Sequence, residues 1–344
     1  MKVTTIGLDL AKSVFQVHGV DERGHKVLAK KLRRDQVPEF FARLEPCLVG
    51  MEACGGAHYW AGKLRALGHT VRMMSPQFVR PYVKTNKNDA RDAEAICEAV
   101  ARPNMRFVPL KDLEQQTVLS VHRARQGLIK MRTAQANQIR GLLAEFGCVM
   151  PRGTKSLVEQ VPQILGRQDR LPEAMRGLIE QLMGLWRHLD EQVAQLERQI
   201  QLWHRQSPAS RRLGQIPGIG AITATALVAT AGADARQFGC GRQMAAWLGL
   251  VPRQHCTGGR QQLLGISKRG DPYLRMLLIH GARSVIRVVH QKALTGIDAS
   301  WAARLALRRH PNVAAVALAN KNARTAWALL AHGRDYQPGY GVAA

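Results

Sequence analysis

The stretch Ile6-Gly7-Leu8-Asp9-Leu10-Ala11-Lys12 decides how the first part of the chain folds. β-Branched residues lead into Asp9, and a second strand-like run, Val14–Val20, follows almost at once. Strand interiors disfavour aspartate, so an acid in this position needs a reason. A common reason is a metal ion, because hard cations such as Mg²⁺ prefer carboxylate oxygens. The stretch therefore predicts a strand whose acid joins other acids at one site.

The composition is that of a globular chain with ample core. Of the 344 residues, 46% are hydrophobic, and no apolar run reaches membrane-spanning length. The six cysteines are scattered without a C-x-x-C pair, which argues against a zinc site or a disulfide framework. The absence of a signal-peptide pattern and this cysteine usage predict a protein of a reducing cytoplasm.

The charge predicts a polyanionic partner. The formal net charge is +25, and residues 211–344 hold 18 basic residues against only 4 acids. Ordinary surfaces mix both signs, so this excess favours nucleic acid over a merely solvated surface.

Residues 1–110 alternate between strand and helix patterns. Strands are predicted at 3–10, 14–20, 24–31, 47–52 and 70–74, with helices at 37–44, 57–67 and 90–101. Three adjacent strands followed by βα units resemble the ribonuclease H-like, or RuvC-like, arrangement of a mixed sheet flanked by helices.

Three further acids follow Asp9. Glu52 ends an apolar strand, while Asp89 and Asp92 project from one face of a helix's first turn. Sheets place strand-end residues at a shared edge, where ligands bind. Each acid alone has an ordinary structural explanation, with Asp89 as an N-cap, Asp92 as a helix-dipole partner and Glu52 as a hydrogen-bonded strand end. The ordered set of four is more specific.

Residues 111–210 are predicted to be mostly helical. Two long segments, 113–146 and 174–206, flank a stretch broken by Gly and Pro. Steps of three and four in the second segment predict a coiled-coil seam within one chain or between protomers. Its members are Leu178, Leu182, Leu185, Leu189, Val193, Leu196, Ile200 and Trp203.

Residues 211–344 contain a turn that resembles a helix-hairpin-helix. In Pro217-Gly218-Ile219-Gly220, both glycines would let backbone N–H groups approach a phosphate. A tight glycine turn between core helices is the alternative. Near the C-terminus, Lys321 and Arg324 share a helix face, which fits either a phosphate clamp or a solvated face.

The same region contains a serine in a basic loop. Ser267 is followed by Lys268 and Arg269, and Asp271 with Pro272 then begins a helix. The two cations could hold a phosphate while the hydroxyl attacks it. A loop serine bonded to backbone is the alternative.

With these motifs in place, the whole chain resembles the DEDD transposases of bacterial insertion sequences. These are the bridge-RNA-guided serine recombinases of the insertion sequence 110/1111 group. The resemblance rests on the motifs Gly7-Leu8-Asp9, Met51-Glu52-Ala53-Cys54-Gly55, Asn88-Asp89-Ala90-Arg91-Asp92-Ala93, Ile216-Pro217-Gly218-Ile219-Gly220 and Ser267-Lys268-Arg269-Gly270.

The resemblance implies three regions. Residues 1–110 would be a RuvC-like DEDD catalytic domain, 111–210 a helical coiled-coil linker for dimerisation, and 211–344 a basic, mainly α-helical transposase domain with the serine nucleophile. The four acids, Asp9, Glu52, Asp89 and Asp92, inherit the role of ligands for Mg²⁺, with Mn²⁺ as a substitute.

The resemblance also implies the reaction and the partners. Ser267 would attack a DNA phosphate, forming a phosphoserine link, and strand exchange and religation would follow. A structured bridge RNA from the same element would pair with donor and target DNA. Dimers would assemble into tetramers, in which the acids of one protomer meet the serine domain of another.

Two other functions remain open from the residues alone. One is a RuvC-like nuclease or junction resolvase that uses water, which would form no covalent protein–DNA adduct. The other is a non-catalytic nucleic-acid-binding protein, which would leave the four acids unexplained.

Overall fold

The protein divides into two compact units, Met1–Asp112 and Leu113–Ala344. The structure, a computed structural model, describes residues 2–84, 88–167, 170–294 and 300–338. Apart from residues 111 and 112, the regions predicted at 111–210 and 211–344 both fall in the second unit. The assignment of separate roles to three regions stays a prediction.

The first unit is built on a six-stranded mixed sheet with the order β3-β2-β1-β4-β5-β6. β1 pairs antiparallel with β2 and parallel with β4, and β4 pairs parallel with β5. The strands are β1 (Thr5–Leu10), β2 (Val14–Val20), β3 (Lys26–Arg33), β4 (Leu48–Glu52), β5 (Thr70–Met74) and β6 (Phe107–Val108).

Helices cover both faces of this sheet. They are α1 (Val37–Ala42), α2 (Ala57–Ala66), α3 (Pro76–Val79) and α4 (Asp89–Val100). Ile6 and Leu8 are fully buried in one core with α1 and α2, and the alternate positions of β1 face α4. The predicted mixed α/β unit is confirmed at this level, and its ribonuclease H-like classification stays a prediction.

The second unit is mostly helical, as predicted for the rest of the chain. Its helices are α5 (Leu113–Ala144), α6 (Thr154–Leu165), α7 (Glu173–Gln206), α8 (Pro208–Gly214), α9 (Ala221–Ala231), α10 (Gly241–Trp247), α11 (Pro272–Leu294), α12 (Trp301–Arg308) and α13 (Pro311–His332). Two further strands, β7 (Pro252–Thr257) and β8 (Arg260–Ile266), form an antiparallel hairpin. Within the described ranges, no helix is long and apolar enough to cross a membrane.

Helices α5 and α7 pack on each other within one chain, the first of the two alternatives for the predicted seam. The face that α7 buries includes Ile179, Met183 and Trp186, whereas Leu178 and Leu185 are 41% and 48% exposed. Leu178 and Leu185 therefore lie outside the seam within the chain, and a seam between protomers that includes them stays a prediction. An isoleucine, a methionine and a tryptophan define the first half of the buried stripe, and the leucines beside them lie outside it.

Candidate active site

Two of the predicted acids lie at the ends of neighbouring parallel strands. Leu8 of β1 is paired with Met51 of β4, and Asp9 and Glu52 are the next residue on each strand. Adjacent strands lie about 4.8 Å apart, and residues in register project from the same face. Asp9 and Glu52 are both half-buried. The fold therefore brings these two carboxylates together at one sheet edge.

Two glycines let α4 lie directly on that face. A Cβ at Gly7 would be 2.0 Å from the carbonyl oxygen of Ala93, and one at Gly50 would be 2.7 Å from the Cβ of Val100. The Sγ of Cys97 lies 3.6 Å from the carbonyl oxygen of Thr5, at the start of β1. Because α4 runs back along β1, its first turn lies toward the end of the strand that carries Asp9.

That first turn carries the other two acids. Asp89 is exposed and Asp92 is half-buried. The helix is capped by Asn88, whose side chain accepts a hydrogen bond from the N–H of Arg91 at 2.9 Å. The ordinary explanation of Asp89 as the N-cap is therefore wrong. Asp89 is instead the first helical residue, where a negative charge favours the helix dipole.

A complete metal-ligand set is not assembled in this structure. Over the described ranges, no three His, Cys, Asp or Glu side chains are grouped closely enough to hold a metal ion. Asp9 and Glu52 meet at the sheet edge, and Asp89 and Asp92 share the helix turn. Carboxylates are the donors that Mg²⁺ prefers, so the chemistry of the set fits this ion. The role of all four as its ligands stays a prediction.

The pKa of the Cys54 thiol depends on the charge at this edge. Partial removal of the thiol from water raises its pKa, and the carboxylates of Glu52 and Asp9 raise it further. One thiol thus feels both charges, which agrees with the placement of the two acids beside each other. The raised pKa keeps the thiol protonated, and therefore unreactive, at neutral pH.

In the second unit, Ser267 directly follows β8 in a loop that hydrogen bonds hold in place. The N–H of Ser267 donates to the carbonyl of Val251 at 2.8 Å, and the N–H of Lys268 donates to the carbonyl of Gly249 at 3.1 Å. Lys268 has a φ of +54°, in the left-handed region that side chains rarely adopt. Backbone strain of this kind occurs preferentially at functional sites.

Glycines fix this loop against the end of α10. A Cβ at Gly249 would be 2.0 Å from the carbonyl oxygen of Arg269, and a Cβ at Gly270 would be 1.9 Å from that of Trp247. Both glycines also have positive φ. A side chain at either position would therefore be opposed both by the close contact and by the backbone conformation. Arg275 donates to the carbonyl of Leu248 at 3.2 Å and adds a further tie.

The Ser267 hydroxyl is the unusual group of the loop. Its Oγ is buried and has no hydrogen-bond partner among the described residues. Such a hydroxyl costs about 1–3 kcal/mol relative to one that is hydrogen-bonded, so its presence calls for an explanation. The neighbouring Lys268 and Arg269 are exposed. Two cations thus follow a hydroxyl that has no backbone partner, contrary to the alternative of a loop serine bonded to backbone.

The start of α11 was predicted correctly. Asp271 caps it by accepting a hydrogen bond from the N–H of Tyr273 at 2.7 Å, and Pro272 is its first residue. The loop that holds Ser267 is therefore fixed at both ends, by the β8 pairing and by this cap.

A buried polar network, for which no sequence pattern offered a signal, joins the long helices to this same helix start. His122 of α5 is 1% exposed and lies 3.0 Å from both the Tyr273 hydroxyl and the Thr225 hydroxyl. Thr225 donates to a backbone carbonyl of its own helix, so the histidine Nε2 donates to Thr225 and its Nδ1 accepts from Tyr273. Burial, aided by the charge of Arg125, lowers the pKa of His122 to about 4. Arg125 in turn binds Glu197 of α7 at 2.9 Å.

The glycine turn serves packing. Gly218 has a φ of +88°, and its Cβ would be 2.9 Å from the backbone of Gly281 in α11. This contact fits the alternative of a tight turn between core helices. Gly220, at the start of α9, is exposed with open space around its Cβ position. A role for either glycine in phosphate binding stays a prediction.

The two predicted basic residues of α13 line an open cavity of about 1570 Å³. Arg324 is exposed, and the Lys321 ammonium lies 4.9 Å from the centre of the Trp301 ring. Arg242 and Arg304 line the same cavity. The cluster is strongly basic and includes an aromatic face, which fits the phosphate-clamp alternative better than a simple solvated face.

A mixed sheet with carboxylates at its edge, followed by a basic helical unit, is an arrangement suited to a protein that processes nucleic acid. Two family models match the chain: one described as Transposase covers residues 6–147, and one described as Transposase IS116/IS110/IS902 family covers residues 210–296.

Relatives match along almost the whole length. A "Probable family 20 transposase" of Pseudomonas aeruginosa is 55% identical over 98% of this chain and 100% of its own. The "Transposase for insertion sequence element IS1111A" of Coxiella burnetii is 43% identical over 98% of this chain and 92% of its own. The "Transposase for insertion sequence element IS1328" of Yersinia enterocolitica is 42% identical over 96% of this chain and 98% of its own. The chain therefore belongs to the IS116/IS110/IS902 family of transposases.

Proposed function

We propose that the protein is an RNA-guided recombinase that cuts and rejoins donor and target DNA with a carboxylate site and a serine nucleophile. The observation that carries the proposal is the placement of Asp9 and Glu52 at one sheet edge, with a helix bearing Asp89 and Asp92 packed on the same face. Transposases cut and rejoin DNA, and phosphate chemistry commonly uses such carboxylates to hold Mg²⁺.

The four carboxylates would hold the ion, and Mg²⁺ bound there would neutralise phosphate charge and stabilise a departing 3′ oxygen. The close packing of α4 on Gly7 and Gly50 supports this role, because it limits how far the helix acids lie from the strand acids. In this proposal Asp9 and Glu52 are the fixed half of the site, and Asp89 and Asp92 complete it.

Ser267 would supply the nucleophile. Its Oγ attacks phosphorus, the bond from phosphorus to the 3′ oxygen breaks, and a phosphoserine link to the DNA 5′ end forms. A 3′ hydroxyl then attacks that link and restores the serine, so the bond energy is conserved. The buried, unpartnered hydroxyl and the strained backbone at Lys268 support this assignment. Lys268 and Arg269 would hold the phosphate by their charge.

The serine proton needs an acceptor. Lys268 and Arg269 carry no acceptor atom in their side chains, and the nearest acid in sequence, Asp271, caps α11. We propose that a carboxylate of the first unit takes the proton, and that it comes from another protomer of a dimer or tetramer.

The experiment uses isosteric variants. Asp9→Asn, Glu52→Gln, Asp89→Asn and Asp92→Asn each keep shape and lose charge, so each should abolish recombination and retain nucleic-acid binding. A variant that recombines at the wild-type rate would remove that residue from the site.

Mixing tests the arrangement between protomers. Ser267→Ala protein and Asp9→Asn protein should each be inactive alone, and together they should regain part of the activity. No recovery despite proven co-assembly would favour a site within one chain.

Guide-RNA binding is a further part of the proposed function. It is supported by the net charge of +25 and by the basic, aromatic cavity around Lys321 and Trp301. Sequencing the RNA that copurifies with the protein should yield one structured species with segments complementary to donor and target DNA. Only unspecific cellular RNA would contradict it.

A further inference from the structure

The hairpin of β7 and β8 is an exposed ribbon. Every residue of the two strands is exposed except Ile266, which is half-buried at its base. At the tip, Gly258 and Gly259 have φ of +55° and +78°, the pair of positive values that a tight hairpin turn requires. A two-stranded hairpin is only marginally stable by itself in water. A ribbon of this length with both faces in solvent is therefore suited to a partner that covers it.

The base of the ribbon is fixed beside the serine. Pro252 pairs with Ile266, and the N–H of Ser267 donates to the carbonyl of Val251 at 2.8 Å. Ser267 is the residue that follows the second strand. Whatever the ribbon binds is thus held within a short distance of the Ser267 loop.

The charge of the ribbon indicates the chemistry of the partner. No acid occurs in the sequence between Asp234 and Asp271. Arg253 lies near the base of the ribbon, Arg260 lies at its tip, and Lys268 and Arg269 follow in the serine loop. A partner protein surface of ordinary composition would not need such a one-sided charge, and a nucleic acid would.

The side chains also match the edges of DNA bases. Besides the arginines, the ribbon displays Gln254, Gln261 and Gln262, and arginine and glutamine are the side chains that bond guanine and adenine in the major groove. Leu263 is 65% exposed and offers an apolar contact for thymine methyl groups. The major groove of B-DNA admits a two-stranded ribbon, and strands of this length span about 20 Å.

We propose that the β7–β8 ribbon is a DNA-binding arm that lies in the major groove of duplex DNA and holds the duplex beside Ser267. The placement of the attacked phosphate rests on the proposed function, whereas binding by the ribbon does not. The arm would both add affinity and set the register of the duplex relative to the hydroxyl.

The test compares two double variants of the full chain. Arg253→Gln with Arg260→Gln removes the ribbon charges, and Arg187→Gln with Arg198→Gln removes two exposed charges of α7 as the matched control. All are made in Ser267→Ala protein, so that no bond to DNA forms. Binding to a 30-base-pair duplex is followed by fluorescence anisotropy at several salt concentrations.

The ribbon variant should bind roughly 10-fold or more weakly near 0.1 M salt, and its log–log salt slope should fall by about 2, for two lost contacts. The control should change far less. In footprinting, protein with an intact ribbon should protect guanine N7 in the major groove from methylation, and the ribbon variant should not.

Equal affinity of the two variants would overturn the proposal. So would intact DNA binding by the ribbon variant together with a smaller assembly in light scattering, because the ribbon would then contact another copy of the chain. Failure of the serine mechanism has a different signature, since ribbon-dependent protection would persist while wild-type protein forms no adduct.

Discussion

Replacing Gly7 by alanine tests how the fold brings the acids together. The new Cβ would lie 2.0 Å from the carbonyl oxygen of Ala93 and 2.4 Å from the backbone nitrogen of Cys97. Real contacts of this kind exceed about 3 Å, so α4 must move outward by about 1 Å or more. Overpacking costs typically 1–3 kcal/mol, and a collision with helix backbone belongs at the upper end, at about 3 kcal/mol.

The matched control is Gly62→Ala in α2. Nothing lies within 4 Å of a Cβ at Gly62, and alanine is favoured over glycine inside a helix by about 0.5–1 kcal/mol. Gly62→Ala should therefore leave stability unchanged or slightly raised.

Hydrogen–deuterium exchange of the full chain measures the stability of individual segments and so compares Gly7→Ala with Gly62→Ala protein at β1 and α4. In Gly7→Ala protein, amides of β1 and α4 should lose protection by roughly 100-fold, since about 1.4 kcal/mol corresponds to a factor of 10. Recombination should fall as well, because the turn that carries Asp89 and Asp92 is displaced. Wild-type protection of α4 in Gly7→Ala protein would refute the close-packing account.

Three other properties should respond to simple changes. His122, with a pKa near 4 when folded and about 6.5 when unfolded, binds fewer protons in the folded state, so wild-type stability should fall by up to about 3 kcal/mol as pH drops from 6.5 to 4. In denaturant unfolding, the stability of His122→Gln protein should depend less on pH between 6.5 and 4 than that of wild-type protein. An equal pH dependence of the two proteins would contradict a buried, neutral His122. Leu189 is 6% exposed, so Leu189→Asp should destabilise the protein strongly in thermal unfolding. Leu185→Asp should lower the free energy of unfolding by less than about 0.5 kcal/mol. If both cost the same, the orientation of α7 would be wrong. Nucleic-acid affinity should fall steeply with salt, and a flat titration would contradict the basic interface.

The sequence was a good guide to the first unit because its strands alternate cleanly or form short apolar runs. The predicted strand at 70–74 agrees with β5, and the acid at the end of β1 is where the pattern placed it. The role of Gly7 was not predictable. A glycine in a strand indicates close approach by something, but only the fold shows that the approaching element is α4.

Helix faces were less predictable than helix positions. The long α7 was placed within one residue at its start, yet the leucine pattern includes Leu178 and Leu185, which lie outside the stripe that is buried within the chain. The buried stripe depends on which apolar residues meet α5, and several spacings of three and four fit the same sequence.

Two features near Ser267 were missed for different reasons. The hairpin had a local signal, the dipeptide Gly258-Gly259 between two polar strand-like runs, which indicates a tight turn. The contact between His122 and Tyr273 had none, because residues 151 positions apart meet only through the packing of α5 against the start of α11. A lone histidine in a long amphipathic helix gives no indication of its partner.

Ser267 is proposed to bond covalently to DNA, and mapping that bond is a direct test of the serine mechanism. Wild-type protein, incubated with its DNA, any guide RNA that copurifies and Mg²⁺, is denatured, digested with nuclease and protease, and examined by mass spectrometry. We expect a denaturant-resistant adduct whose phosphate lies on Ser267, and none with Ser267→Ala protein. Normal cutting and rejoining of DNA by Ser267→Ala protein would exclude the serine mechanism and favour a nuclease that uses water.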